Sequence, residues 1–276
     1  YMVLGALPRD PELGVAARHL GLVPADEAGA PEAPIARAAA LVAAGLDIDR
    51  WLALARPSSA SATTSPGAAP CGSAPLGPPP PGKCIAVACD DAFRFTYAAT
   101  LGAWRRQGAE LSFFSPLADA PPDPAADAVF LPGGYPELHA GRLAAGGRFL
   151  AGLRDAAARG AAVYGECGGY MVLGDTLVDR DGRAHRMAGL LPLATSFAAP
   201  RRHLGYRRAR LVAATPLGPA GAAFRGHEFH YATIVAEGPG ERLFAVADSC
   251  GQALPDAGLR RGNVAGSFIH LIDREE

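Results

Sequence analysis

The most reactive arrangement in the sequence is a cysteine set between glycines directly after an apolar run. Val163-Tyr164 leads into Gly165-Glu166-Cys167-Gly168-Gly169, and a helical pattern follows. A strand that turns sharply into a helix strains the residue at the turn, and glycines around that residue avoid clashes. We predict that Cys167 is a nucleophile, that the start of the helix favours its thiolate, and that the Gly168 amide is free to donate to an oxyanion.

The other four cysteines stand in settings that offer no such activation. They lie in a Pro-rich stretch, beside an early strand and in a Ser-Cys-Gly turn, at Cys71, Cys84, Cys89 and Cys250. Because no CxxC pair occurs, the spacing argues against a zinc site or a disulfide framework and favours reduced thiols in a cytoplasm. A buried structural cysteine in a glycine-rich turn is the alternative interpretation of Cys167.

A cysteine nucleophile needs a base, and histidine commonly serves as one. Gly266-Ser267-Phe268-Ile269 is a short apolar strand that ends in His270, as expected for a base at the rim of the same crevice as Cys167. The rival cluster is His227-Glu228-Phe229-His230, which lacks the HExxH spacing of a zinc helix and is more typical of a strand lining a pocket. We therefore predict His270 as the base and no metal site.

Two further glycines follow an apolar run in Leu131-Pro132-Gly133-Gly134. At the carboxyl end of a parallel strand, such a pair can turn backbone N–H groups toward a ligand, and an oxyanion needs such donors in place before its charge develops. Taken alone, an ordinary Gly-Gly turn is the simpler interpretation of this pair.

The elements around these residues follow an α/β pattern. Short apolar runs predict strands, and they alternate with helical patterns over 93–107 and 143–159; the predicted strands are 84–88, 110–114, 128–131 and 161–164. This alternation favours a largely parallel sheet with helices on both faces. After Leu190 the pattern changes to short additional β segments.

A break in composition divides the chain into three parts. Residues 56–82 are almost all Ala, Ser, Thr, Pro and Gly, which predicts a linker with a stiffer polyproline end. Residues 1–55 hold too few elements to close a core alone, whereas residues 83–276 carry the α/β pattern. The linker end matches G-x-x-x-x-G-K at 77–83, but its prolines lack the backbone N–H groups of a phosphate cradle.

The bulk composition fits a globular protein and argues against two classes of partner. The 276 residues are 49% hydrophobic and 19% charged, and the formal net charge is −1. This charge offers no footprint for nucleic acid, and no apolar run approaches the roughly 20 residues of a membrane span. We expect neither nucleic acid nor a membrane as a partner.

Several motifs, taken together, indicate a family. The Leu-Pro-Gly-Gly turn, the Gly-Glu-Cys-Gly-Gly turn and the distal His270 resemble class I glutamine amidotransferases. Further stretches are similar to the cobyrinic (or hydrogenobyrinic) acid a,c-diamide synthases of cobalamin biosynthesis, namely 130–137, 187–192, 204–207 and 226–231. This similarity covers residues 83–276, while residues 1–25 resemble the tail of that family's synthetase domain.

The resemblance implies a flavodoxin-like class I glutamine amidotransferase fold. In that fold a largely parallel sheet carries helices on both faces, with additional C-terminal β segments. The resemblance also implies that Cys167 attacks the carboxamide of L-glutamine, that His270 shuttles protons, and that Gly133, Gly134 and Gly168 are the oxyanion donors. It implies no metal or other cofactor bound by this chain itself.

For the whole enzyme, the resemblance implies glutamine-dependent amidation of the a and c acetate side chains of cobyrinic or hydrogenobyrinic acid. The synthetase domain uses ATP and Mg²⁺ to phosphorylate each acetate, and ammonia from the glutamine site displaces the phosphate. The corrinoid is thus a partner through that domain, of which residues 1–55 are the C-terminal remnant. With the ATP site expected upstream of Tyr1, this chain is expected to hydrolyse glutamine at most; a homodimer is left open.

One departure from the wider class concerns the base. Many class I amidotransferases carry a Glu two residues beyond the His, where this chain has Ile272, and the cobalamin branch resembles a set without that acid. Glu166 and Glu228 are candidates to orient His270, with His230 as further support. The alternatives for function are a cobyric acid synthase-like or other enzyme of the same branch, and a non-catalytic sensor or scaffold on the same fold.

Overall fold

The computed structural model describes residues 2–14, 17–18, 21–22, 32–55 and 77–275. They belong to two compact units, Tyr1–Gly72 and Ser73–Glu276. Most of the predicted linker, residues 56–76, therefore lies outside the described residues. The predicted three-part division of the chain stays a prediction.

The first unit is small. It holds a 3₁₀ turn, two short antiparallel strands and two helices: Pro11–Leu13, β1 (Ala17–Arg18), β2 (Gly21–Leu22), α1 (Glu32–Gly45) and α2 (Ile48–Leu54). Neither helix contains a buried residue. The Asp47 side chain accepts a hydrogen bond from Arg50 N and so caps the start of α2. These elements bury too little apolar surface to form a core of their own.

The second unit is built on four parallel strands. In chain order they are β3 (Cys84–Ala88), β4 (Glu110–Phe114), β5 (Ala128–Leu131) and β6 (Ala162–Glu166), and they lie side by side as β6-β5-β3-β4. The associated helices are α3 (Ala98–Arg106), α4 (Ala140–Ala145), α5 (Gly147–Ala158) and α6 (Gly168–Leu173). This arrangement confirms the predicted parallel α/β core.

The C-terminal residues add strands that extend this sheet and form a second one. They are β7 (Thr176–Val178), β8 (Ala184–Arg186), β9 (Leu193–Ser196), β10 (His203–Leu211), β11 (Ala223–His230), β12 (Thr233–Glu237), β13 (Glu241–Ala247), β14 (Ala253–Arg261), β15 (Val264–Ser267) and β16 (Ile269–Glu275). The main sheet has ten strands in the order β16-β11-β10-β13-β14-β15-β6-β5-β3-β4, and β12-β9-β7-β8 form a second sheet. Most of the added pairs are antiparallel, but β15 joins β6 in parallel and β7 joins β9 in parallel. These strands are the additional β segments that the sequence predicted.

The core lies on both faces of the main sheet. One face packs against α5 and α6 and includes Phe149, Leu153 and Met171; the other includes Trp104 and Phe224, and all five side chains are almost fully buried. Complete burial of a side chain of this size contributes about 1.5–3 kcal/mol. Both faces therefore hold the parallel strands rigidly, which fixes the residues at their carboxyl ends.

The last residues of the predicted linker pack on the second unit. Trp104 Nε1 donates to Pro78 O at 3.0 Å, and Gly77 N donates to the carboxylate of Asp273 at 3.0 Å. Asp273 belongs to β16. The stiff end of the linker is thus fixed to the strand that also carries His270.

Candidate active site

Cys167 occupies the sharp turn between β6 and α6. Its backbone has φ 48° and ψ −102°, a region that residues other than glycine rarely adopt and that costs about 1–3 kcal/mol. Its N–H donates to Ser267 O at 2.8 Å, and its carbonyl accepts from Met171 N at 3.1 Å. These bonds hold the strained turn in place, as the sequence predicted for a nucleophile between glycines.

The flanking glycines are required by close backbone approach. A Cβ at Gly169 would lie 2.0 Å from Leu131 O, and a Cβ at Gly165 would lie 2.7 Å from the carbonyl carbon of Gly169. Strand β5, the turn and helix α6 therefore pack backbone against backbone. A side chain at either position would force the elbow apart.

We expect Gly169→Ala to destabilise the protein by at least about 2 kcal/mol, because its methyl group would meet a backbone carbonyl that cannot move freely. The matched control is Gly147→Ala, which adds the same methyl group at the start of α5 where no atom lies within 4 Å. That control is expected to stay within about 1 kcal/mol of wild type. Urea unfolding measures both, and equal stabilities of the two variants would contradict this packing.

The glycine pair after β5 lies against both Cys167's helix and His270. A Cβ at Gly133 would lie 2.5 Å from His270 Cε1 and 3.3 Å from His270 Nε2. A Cβ at Gly168 would lie 3.0 Å from Gly134 N. The structure thus brings together Gly133, Gly134 and Gly168, the three predicted oxyanion donors, beside the predicted base.

His270 is buried beside this glycine pair. Its Nδ1 atom lies 3.4 Å from the Tyr97 hydroxyl and 4.0 Å from Glu166 Oε2, and its ring stacks on that of His227 with centroids 4.8 Å apart. Burial, followed by the charges of His227 and His230, lowers the pKa of His270 to about 3. A neutral imidazole at ordinary pH can accept a proton, which a base requires.

The position of His270 differs in one respect from the sequence prediction. The chain does not run as one strand ending in His270; β15 ends at Ser267, and His270 is the second residue of β16. The Ser267 hydroxyl accepts from Ile269 N at 3.1 Å, which turns the chain at Phe268. Strand β15 pairs with β6 and β16 pairs with β11, so the turn moves His270 to a new strand partner.

The predicted thiolate is wrong for the resting protein. Burial, then the charge of Glu137, raises the pKa of the Cys167 thiol, and these effects outweigh the lowering by the Gly168 amide. Helix α6 has only six residues, and the thiol is 2% exposed. Cys167 therefore rests as a neutral thiol, and a role as nucleophile would require a neighbouring base to take its proton.

Of the two acids proposed to orient His270, only Glu166 faces it. Glu166 Oε1 accepts from Leu271 N at 3.1 Å and from the Tyr164 hydroxyl at 3.3 Å, while Oε2 points toward His270. Glu166 is 4% exposed, and its burial raises its pKa to about 8. Its carboxyl group is thus mostly protonated near neutral pH.

Glu228 and His230 point away from His270, which corrects their proposed contact with it. Glu228 binds Arg207 Nε and His230 Nε2, each at 2.8 Å, and His230 Nδ1 lies 2.9 Å from Ala232 O. Because successive residues of a strand face opposite sides, His227 stacks on His270 while its neighbour Glu228 faces away. The pair fixes the backbone at Phe229, whose carbonyl lies 3.9 Å from Cys167 Sγ.

The same pair belongs to a cluster with His203. One potential ligand atom from each of His203, Glu228 and His230 lies within 4.8 Å of the others. The rings of His203 and His230 stack almost parallel, at 6°. Arg207 already binds one oxygen of the Glu228 carboxylate. Parallel rings aim their nitrogen lone pairs side by side and not at one point, so this cluster fits an ion-pair network better than a cation site.

Burial of Glu166 has a consequence for stability. Its pKa is about 8 in the folded protein and near 4.5 when unfolded, so the unfolded chain loses this proton first as pH rises. The folded state therefore loses stability between those pKa values, by about 2 kcal/mol from about pH 5.5 to about pH 7.5. We expect Glu166→Gln to abolish this loss, so that the variant gains stability relative to wild type as pH rises.

Urea unfolding of both proteins at the two pH values tests that expectation. Wild type minus Glu166→Gln isolates the Glu166 contribution, because the opposing titration of His270 is common to both. Asp123→Asn, at an exposed position whose carboxylate caps only the nearby Ala125 N–H, is the control. A constant stability difference between wild type and Glu166→Gln would show that Glu166 is ionised in the folded protein.

Sequence reasoning missed two residues at this site. Tyr97 precedes α3 and lies within 3.4 Å of His270, and Glu137 is buried near Cys167. Neither belongs to a pattern that marks a catalytic role. The only available signal was their place after β3 and β5, since the carboxyl ends of parallel strands meet at one edge of a sheet.

The comparisons with known proteins agree on one family. Residues 84–276 match the CobB/CobQ-like glutamine amidotransferase domain. The chain is 55% identical over 278 residues to a hydrogenobyrinate a,c-diamide synthase from Sinorhizobium sp, covering 98% of this chain and 60% of that protein. It is 52% identical over 270 residues to the same-named protein of Rhodobacter capsulatus, covering 98% of this chain and 59% of that one.

A solved structure and the membrane search add two further findings. PurLQS from Thermotoga maritima is similar at 20% identity with a TM-score of 0.49, covering 68% of this chain and 87% of that one. This chain spans about 60% of the length of the curated relatives that it matches. Among the described residues, no helix is both long and apolar enough to cross a membrane.

Proposed function

Because this chain belongs to the CobB/CobQ-like glutamine amidotransferase family, we propose that its second unit hydrolyses L-glutamine with Cys167 as nucleophile and His270 as base. The observation that carries this proposal is the turn at Cys167, with φ 48°, set against the Gly133–Gly134 loop and a buried neutral His270. A strained turn, backbone donors and a neutral imidazole are the groups that acyl transfer by a cysteine requires, and they support this proposal.

The reaction begins as the Cys167 sulfur attacks the carboxamide carbon. The thiol proton moves to His270, and the carbonyl oxygen becomes an oxyanion beside the amides of Gly133, Gly134 and Gly168. The tetrahedral species collapses as His270 gives its proton to the amide nitrogen, which leaves as ammonia. Water then attacks the thioester, passes a proton to His270, and releases glutamate as the proton returns to sulfur.

Glu166 supports the charged stage of this cycle. His270 becomes an imidazolium when it takes the thiol proton, and Glu166 Oε2 is 4.0 Å from its Nδ1 atom. A nearby positive charge favours the ionised carboxylate. The imidazolium therefore lowers the pKa of the Glu166 carboxyl group while it lasts, and this attraction stabilises the charged stage of the cycle.

For the whole enzyme, we propose amidation of the a and c acetate side chains of hydrogenobyrinic or cobyrinic acid. Support comes from the names of the relatives, which match this chain over 98% of its length. The corrinoid would bind the part of the relatives that this chain does not span, and ammonia made at Cys167 would supply the amide nitrogen. Free thiols at Cys84, Cys89 and Cys250 fit the proposed cytoplasmic location.

ATP and Mg²⁺ would also bind the part of the relatives that this chain does not span. The one literal nucleotide motif in this chain, residues 77–83, does not fit a phosphate group: Pro78 to Pro81 have no N–H, and Pro78 O is occupied by Trp104. No step at Cys167 depends on a nucleotide. We therefore assign only the glutamine half of the reaction to the described residues.

Incubation of the chain with L-glutamine tests this assignment. We expect ammonia and glutamate to appear in equal amounts without ATP. A chain that binds glutamine but forms neither product, even with the relatives' additional region supplied, would point to the sensor or scaffold function. A chain that forms ammonia only with ATP would show that hydrolysis needs the other half of the enzyme.

A further inference from the structure

No carboxylate stands two residues beyond His270, so another group must fix the orientation of its ring. The residue there is Ile272, whose side chain is 46% exposed. An imidazole acts as a base only through a nitrogen that carries no proton, so its partner at the other nitrogen decides whether it works. The partner at Nδ1 is therefore a functional residue of the site.

The Tyr97 hydroxyl lies beside the stacked rings of His270 and His227. It is 3.4 Å from His270 Nδ1 and 3.3 Å from His227 Nε2. The Tyr97 ring meets both imidazoles nearly edge-on, at 82° and 85°, while the imidazoles stack on each other at 5°. The hydroxyl thus lies within reach of both His270 Nδ1 and His227 Nε2.

We propose that Tyr97 and His227 form a neutral hydrogen-bond relay that holds His270 in its Nδ1–H tautomer. This inference rests on the proposed function and names positioning residues for the same site. His270 Nδ1–H donates to the Tyr97 oxygen, and the Tyr97 hydroxyl donates to His227 Nε2. The Nε2 atom of His270, which faces Gly133, is left free to accept the thiol proton.

The direction of the relay follows from the number of protons available. A hydroxyl has one proton to donate, so Tyr97 can donate to one ring and must accept from the other. Burial raises the pKa of Tyr97, which keeps its proton in place. Burial lowers the pKa of His227, which keeps its Nε2 free to accept. When His270 gains a proton at Nε2, its Nδ1–H bond to Tyr97 is unchanged.

Glu166 does not replace this relay. Its nearest oxygen is 4.0 Å from Nδ1, beyond hydrogen-bond distance, and burial keeps it mostly protonated. Its other oxygen, Oε1, accepts hydrogen bonds from Leu271 N and the Tyr164 hydroxyl. Glu166 therefore acts on the charge of the imidazolium, and Tyr97 acts on the tautomer of the neutral ring.

The test compares Tyr97→Phe, which removes only the hydroxyl, with His227→Gln. Each is expected to lower kcat for glutamine hydrolysis by about 10- to 100-fold, with KM within about threefold, because the relay positions the base and is assigned no part in binding glutamine. The double variant is expected to lose no more than about threefold beyond the worse single variant, since both changes break one relay. Tyr206→Phe, at a side chain that is 72% exposed, is the matched control and should match wild type.

A nitrogen NMR measurement separates this role from a structural one. We expect the His270 Nδ1–H tautomer in wild type and a mixture with Nε2–H in Tyr97→Phe. Groups that also titrate around His270 are Tyr97, His227, His230, Glu166 and Cys167, so spectra are compared at one pH. An unchanged tautomer, or a kcat for Tyr97→Phe within about twofold of wild type, would overturn the relay.

The tautomer does not depend on turnover. If wild type proved inactive on glutamine while the tautomer shifted as expected, the relay would stand and the proposed function would fail. If wild type were active while Tyr97→Phe left the His270 tautomer unchanged, the proposed function would stand and the relay would fail. His227→Gln supplies a second tautomer measurement should Tyr97→Phe fold poorly, which urea unfolding would reveal.

Discussion

Replacing Cys167 with serine is expected to lower kcat/KM for glutamine hydrolysis by at least about 10⁴-fold, which is the range seen when a catalytic nucleophile is removed. Serine preserves the size and shape of the side chain, so the turn at φ 48° is kept. A hydroxyl is a far weaker acid than a thiol, so the transfer of its proton to His270 is much less favourable than the transfer from Cys167. The loss should therefore fall on kcat, with glutamine still bound.

The matched control for this variant is Cys250→Ser. Cys250 is exposed and lies in the turn between β13 and β14, so the same atomic change there should leave hydrolysis unchanged. Isothermal calorimetry with glutamine would show whether Cys167→Ser still binds substrate. Hydrolysis by Cys167→Ser at the wild-type rate would remove Cys167 from the mechanism.

Replacing His270 with glutamine is expected to lower kcat by about 10³- to 10⁴-fold. The amide side chain keeps a polar group near Tyr97 but cannot take the thiol proton. Cys167 rests as a neutral thiol because burial raises its pKa, so without a base it is almost never a thiolate. A smaller loss is expected at high pH, where hydroxide ionises a larger fraction of the thiol.

His139→Gln is the control for the loss of an imidazole. His139 is half-buried at the start of α4, and its side chain makes no capping hydrogen bond. Its variant should hydrolyse glutamine as wild type does across the pH range. A His270→Gln enzyme with a wild-type rate and pH profile would show that another group, such as His227, is the base.

Local patterns were sufficient to predict the strained turn at Cys167 and the glycine loop that lies against His270. A strand entering Gly-x-Cys-x-Gly constrains its own geometry, because a Cβ at Gly165 would lie 2.7 Å from the carbonyl carbon of Gly169. The parallel strands were equally readable, since β5 and the first three residues of β6 form short apolar runs. These features depend on residues that are neighbours in sequence.

What the sequence could not reveal depends on partners far along the chain. Glu228 was a reasonable candidate until its register in β11 showed that it faces Arg207 and not His270. Tyr97 approaches His270 from a turn 173 positions away. The resting state of Cys167 was predicted wrongly for the same reason, because burial is set by the whole fold and here exceeds the effect of one helix amide.

Covalent labelling with an electrophilic glutamine analogue, a diazoketone, tests the central claim most directly. Such a reagent alkylates the group that attacks the carboxamide position, and peptide mapping by mass spectrometry identifies the residue. We predict that inactivation is complete when the peptide containing Cys167 carries one label, that L-glutamine protects it, and that Cys250 is unlabelled. Inactivation with Cys167 unmodified, or with the label on another residue, would contradict the account.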